Sequence, residues 1–136
     1  MKSFYLERTP KTPRISFDIN KGFFEISGRS IPENSIEFYK PVLEWLEEYT
    51  ANPSKRETSF DVKLEYFNTS SSKCLVEIFR KLERLKKEGV DVSIKWYYEE
   101  EDEDMQESGE DFREIIKLPI SMVLMEEYKE GGDSVL

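Results

Sequence analysis

Five consecutive residues, Asn68-Thr69-Ser70-Ser71-Ser72, carry one side-chain amide and four hydroxyls, and they separate a strand pattern from a helix pattern. Side chains of these types cap helices, because an oxygen just before the first turn accepts a hydrogen bond from a free backbone N–H. One oxygen is enough for a cap, yet four hydroxyls follow the asparagine here. The same place suits a second chemistry. A phosphate on Thr69 or a neighbouring serine would add a charge of about −1.5 to −2 at pH 7. A helix N-terminus tolerates that charge through its dipole and its free N–H groups. The fold would survive while the surface met by a partner changed. Capping and phosphorylation are compatible, and on residue types alone each of the hydroxyls qualifies.

Other chemistries fit less well. A nucleotide-phosphate loop needs glycines that let its backbone wrap the phosphates, and it ends in Gly-Lys-Ser/Thr. Lys73 here follows three serines, with no glycine in the turn. The chain has no histidine and a single cysteine, Cys74. That composition removes the usual general base near neutral pH, the Ser-His and Cys-His nucleophile pairs and the commonest transition-metal ligand. No catalytic residue, metal or cofactor is therefore expected. Cys74 falls on an apolar helical face and reads as packing. The acidic run Glu99 to Asp104 lacks the alternation and the glycine of a calcium loop. It reads as a solvated loop first and as part of a partner surface second.

Composition narrows the setting. The chain's 136 residues fit one domain, taken as 1–136, with a loose tail over 130–136 marked by Gly131-Gly132-Asp133. A lone cysteine agrees with a reducing compartment. No stretch approaches the roughly 20 apolar residues of a membrane span, and the first eight residues lack a signal-peptide core, so a cytoplasmic protein without membrane insertion is expected. The formal charge of −9, from 29 acids and 20 bases, repels nucleic acid and anionic lipid and suits protein partners with basic patches.

The elements that must position the turn follow from periodicity. Ile15, Phe17 and Ile19 alternate with polar residues, and Asn20-Lys21-Gly22 leads into Phe23 to Ser27, which predicts a hairpin. Phe4 to Glu7 adds a candidate edge strand. Ile36, Tyr39, Val42, Leu43, Leu46 and Tyr49 share one helical face, with Pro41 starting or kinking the main helix and Asn52-Pro53 stopping it. Phe60, Val62, Leu64 and Tyr66 point one way along a strand. A helix over about 71–88 buries Cys74, Leu75, Ile78, Phe79, Leu82 and Leu85, with Gly89 after its end. Val90, Val92, Ile94 and Trp96 alternate in a further strand. A weaker helix over 104–116 is interrupted near Gly109, and 118–124 is a last strand or a docked extended segment. Strands that keep a polar face throughout are covered on one side only. The expectation is a two-layer α/β domain with a mixed sheet and helices mainly on one face.

Several segments together resemble a known family. Thr9-Pro10-x-Thr12-Pro13-x-Ile15-x-Phe17, Gly28-Arg29-Ser30-Ile31-Pro32-Glu33, Phe38-Tyr39-x-Pro41-Val42-Leu43-x-Trp45-Leu46 and Leu64 to Lys73 look like the SiaC-type biofilm-regulation phosphoproteins. Trp96-Tyr97-Tyr98, the acids after it and Gly109-Glu110 also fit, so the resemblance spans about 9–119. It implies a STAS-like fold, the class of anti-sigma-factor antagonists, and a partner-switching cycle. A cognate kinase would phosphorylate the threonine of the Asn-Thr-Ser-Ser turn, here Thr69, and a PPM-type phosphatase would reverse it. The unphosphorylated form would bind and activate an effector, in the best-known branch a GGDEF diguanylate cyclase that raises cyclic di-GMP. Asn68, Thr69, Ser70, Ser71 and Ser72 are then the expected partner surface. The alternative is a STAS-like module that binds a small molecule or lipid without a phospho-switch.

Overall fold

The strands follow the alternation of their sequences. In a computed structural model, which describes residues 1–125, one set of alternate positions is buried throughout. These are Ile15 and Phe17 of β2 (Arg14–Asp18), Phe24 and Ile26 of β3 (Phe23–Ser30), Phe60, Val62 and Leu64 of β4 (Glu57–Phe67), and Val92, Ile94 and Trp96 of β5 (Asp91–Glu99). Burying each such side chain stabilises the fold by about 1.5–3 kcal/mol. With β1 (Phe4–Leu6) and β6 (Ile120–Met125) they form a sheet in sequential order, β1 to β6. The first two pairings are antiparallel and the last three parallel.

Each parallel connection is a helix: α1 (Ser35–Ala51), α2 (Thr69–Lys87) and α3 (Glu103–Ile115). All three cover the same sheet face. Trp45 and Tyr49 of α1 meet Phe24 at ring-centroid distances of 5.4 and 5.1 Å, and Phe79 of α2 meets Phe60 at 6.2 Å. Phe112 of α3 meets Trp96 at 5.2 Å. The opposite face is polar, as the alternation requires. There Lys63 pairs with Glu25 at 2.9 Å, and the Tyr97 hydroxyl donates to Asp61 at 3.2 Å. The expected mixed sheet with helices on one face is borne out. The tail expected over 130–136 lies outside the described residues.

Of the two roles expected of Pro41, it does not start α1: it sits inside the helix on its exposed side, where the carbonyl it leaves without an N–H partner can face water. Three other local expectations need correction. Gly109 does not interrupt α3. The indole of Trp96 packs against it so closely that a Cβ there would overlap the ring atom Cδ1, and this close approach is what the glycine serves. The acidic run is not simply a loop: Glu99 ends β5, Asp102 caps α3 by accepting from the Met105 N–H, and Glu103 and Asp104 occupy the first turn, where the helix dipole favours them. Helix α2 begins at Thr69, two residues earlier than its apolar period suggests, because Asn68 is its cap.

Candidate functional site

The turn between β4 and α2 is built by two strands ending side by side. Ser30 closes β3 opposite Phe67 of β4, and the Asn68 N–H donates to the Ser30 carbonyl at 3.0 Å. Asn68 is extended, with φ −87° and ψ 173°, and its Oδ1 accepts from the Ser71 N–H at 2.9 Å. Its carbonyl accepts the first helical bond, from Ser72 N at 3.0 Å. The amide alone therefore caps α2.

That leaves the hydroxyls free to divide other tasks, and they do so sharply. Ser71 is fully buried. Its hydroxyl donates to the Ser30 carbonyl at 3.0 Å and accepts from the Ser30 hydroxyl at 2.8 Å, while Ser30 also bonds the Tyr39 hydroxyl at 2.7 Å. Ser35, the first residue of α1, lies 3.3 Å from the Ser71 hydroxyl and 2.7 Å from that of Ser70. Ser70 also donates to Asn68 Oδ1 at 3.2 Å. This chain of hydroxyls fastens the N-terminus of α1 to that of α2. Ser72 is half-buried. Thr69 is exposed at the first helical position, and its side chain makes no hydrogen bond among the described residues. Of the five residues grouped by sequence, Ser71 supports the surface from beneath and Thr69 stands on it.

Two exposed apolar residues flank the turn, and the sequence pattern misplaces both. Ile36 belongs by period to the buried stripe of α1, yet it is 79% exposed, in the first turn beside Ser35. Tyr66 belongs by alternation to the core, yet it is 52% exposed. The cause is a register shift: Gly28 of β3 pairs with Leu64, but Arg29 pairs with Tyr66, leaving Glu65 as the extra residue of a bulge. Bulges re-aim side chains in this way. Phe67 turns inward to meet Trp96 at 6.0 Å, and Tyr66 turns outward beneath the Arg29 guanidinium, 5.9 Å from the ring centroid. Gly28, at φ +106°, carries no Cβ where the Arg8 side chain crosses it. The signal available in sequence was Gly28 itself, a glycine inside a strand.

The titratable groups packed behind the turn are held in their neutral forms. Burial pushes the Tyr39 hydroxyl up to about 12, against the opposing hydrogen bond from Ser30. Burial also raises the Cys74 thiol, with the nearby Glu77 carboxylate adding to it, so the sulfur stays protonated and serves as packing against the Ser35 carbonyl at 3.7 Å. An open groove of about 300 Å³ runs along α1 and α2 past Ile36, Leu43, Cys74 and Lys81. Among the described residues no cluster of three or more carboxylate or thiol groups is placed to hold a metal ion. No helix there is long and apolar enough to cross a membrane.

Comparison with known proteins gives one consistent result. Residues 6–125 match the family described as SiaC family regulatory phosphoprotein. An uncharacterised protein of Pseudomonas aeruginosa strain UCBPP-PA14 is 34% identical over 122 residues, covering 90% of this chain and 96% of its own. The structure of SiaC of Pseudomonas aeruginosa superposes with a TM-score of 0.83 at 33% identity, over 92% of this chain and 100% of that one. A second structure, diguanylate cyclase SiaD in complex with its activator SiaC from the same organism, matches at 0.83 and 33%, over 90% and 99% of the two chains.

Proposed function

The chain belongs to the SiaC family of regulatory phosphoproteins, and from that premise we propose that it is a partner switch controlled by phosphorylation of Thr69. In this reading it is a regulatory protein rather than an enzyme, folded as one domain and working in the cytoplasm. Its unphosphorylated form binds and activates an effector of the diguanylate cyclase class, as its relative SiaC is seen bound to SiaD. A cognate kinase adds the phosphate and a PPM-type phosphatase removes it.

The observation that carries the assignment is the division of labour among the hydroxyls. Ser71 and Ser70 are engaged in the clamp between α1 and α2, and Asn68 does the capping. Thr69 alone combines exposure with a side chain free of hydrogen bonds among the described residues. Exposed Tyr66 precedes Thr69 by three residues, and exposed Ile36 follows Ser35, whose hydroxyl meets that of Ser70, so a partner seated on this end of the two helices meets the added charge. Incubation with the cognate kinase tests this directly. Wild type should take up one phosphate and lose effector affinity, while Thr69→Ala should take up none and keep binding. Undiminished phosphorylation of Thr69→Ala would refute the site.

A further inference from the structure

Lys73 lies four residues beyond Thr69 on α2, and residues at that spacing stand on one helical face with Cβ atoms about 5–6 Å apart. It is exposed and makes no ion pair within 4.0 Å among the described residues. In the middle of the helix the cations are engaged, Arg80 with Glu83 at 3.0 Å and Lys81 and Arg84 with Glu47 at 2.6 and 3.0 Å; Lys86 and Lys87, in the last turn, lie at the end where the dipole favours a cation. The start of α2 is also unlike the others in its charge. Helix α1 carries Glu37 in its first turn and α3 carries Glu103 and Asp104, whereas α2 has no acid there. Glu77 stands four residues beyond Lys73 on the same helix and is exposed, but it follows the lysine, which is the less favourable order of an i,i+4 pair, and the two form no ion pair among the described residues.

We infer that Lys73 is the partner of the phosphate on Thr69: the modified side chain captures the ammonium across one helical turn. An anion four residues before a cation is the favourable order of an i,i+4 pair. Phosphorylation then alters the partner surface twice, by adding an anion and by withdrawing a cation that makes no ion pair among the described residues of the unmodified protein. For that withdrawal to weaken binding, the effector must present an acidic group to Lys73 in the unphosphorylated complex. The inference rests on Thr69 being the acceptor, and its test separates the two ideas.

Phosphothreonine is installed at position 69 of the full chain during synthesis, so that no kinase is needed, in wild type and in Lys73→Gln. The second ionisation of the phosphate, near pH 6 for a free phosphothreonine, is followed by phosphorus NMR. In wild type it should lie lower than in Lys73→Gln by about 0.3 unit or more, and the difference should shrink in 1 M salt. Equal values in the two proteins would overturn the ion pair. In the unphosphorylated chain, Lys73→Gln should weaken binding several-fold to the diguanylate cyclase that wild type activates, and undiminished affinity would overturn the acidic contact. If the phosphate instead titrates as expected but leaves cyclase binding unchanged in wild type, the switch of the preceding section fails and the ion pair stands.

Discussion

Replacing Ser71 by alanine should destabilise the protein without touching its phosphorylation, and the size of the loss follows from the contacts. The Ser71 hydroxyl makes two bonds to Ser30, at 2.8 and 3.0 Å, in a fully buried position. Each such bond contributes about 0.5–1.5 kcal/mol net. The groups left behind are only partly orphaned. The Ser30 carbonyl keeps the Asn68 N–H at 3.0 Å, and the Ser30 hydroxyl keeps Tyr39 at 2.7 Å. The larger penalty of a wholly unsatisfied buried group is therefore avoided. Alanine also returns about 0.5 kcal/mol through its better helix propensity. The expected net loss is about 1–2 kcal/mol, which lowers a urea midpoint by roughly 0.5–1 M for a slope near 2 kcal/mol/M. Thr69→Ala, at an exposed site, should stay within about 0.5 kcal/mol of wild type. Kinase labelling should show the reverse, intact in Ser71→Ala and absent in Thr69→Ala. A Ser71→Ala protein as stable as wild type, or a Thr69→Ala protein losing as much as Ser71→Ala, would refute the separation of clamp from switch.

Three further outcomes are expected. Asn68→Ala removes the cap of α2 and should cost about 1 kcal/mol in chemical denaturation, more than any loss at Thr69. Gly109→Ala drives a Cβ into the Trp96 indole; overpacking of about 1–3 kcal/mol exceeds the gain of about 1 kcal/mol from removing a helical glycine, so a lowered melting temperature with altered near-UV circular dichroism from Trp96 should be seen. Burial holds the Tyr39 pKa at about 12, above the 10.0 of an ordinary tyrosine. A raised folded value means that this stability is complete below pH 10 and is lost as pH climbs from about 10 to 12, to the extent of roughly 3 kcal/mol. That contribution to the alkaline loss should be missing in Tyr39→Phe when stability is measured against pH.

The sheet and its helices were legible because their cause is local: alternation in β2 to β5 and a period of 3.6 in α1 and α2 are both set by nearest neighbours in sequence. What escaped the reading has causes elsewhere in the chain. Tyr66 and Phe67 exchange faces because of Gly28, nearly forty residues earlier, through a bulge that no feature of β4 itself announces. Gly109 stays helical because Trp96 occupies the space of its side chain. Ile36 keeps the apolar period of α1 but lies one turn beyond the edge of the core. The hydroxyl turn was visible as a unit, yet the roles within it depend on Ser30 and Ser35, which reach it only through the fold. Residue types left its hydroxyls equivalent, and the family resemblance was what singled out Thr69.

The division of roles also bears on how such a switch can evolve and act. A phosphate placed on Ser71 would have to enter a site with no exposure, breaking the bonds to Ser30 that hold two helices together. A kinase would then work against the folding free energy, and the product would be a damaged domain rather than a second signalling state. At Thr69 the cap remains with Asn68 and the clamp with Ser30, Ser35, Ser70 and Ser71. In the proposed switch the residue that is modified therefore contributes little to the fold, and the charge of a phosphate there acts on partner affinity rather than on the packing of the two helices. The acidic groups gathered at the starts of α1 and α3 are consistent with that economy, since α2 alone is left with a helix terminus whose positive potential is not already spent on a carboxylate.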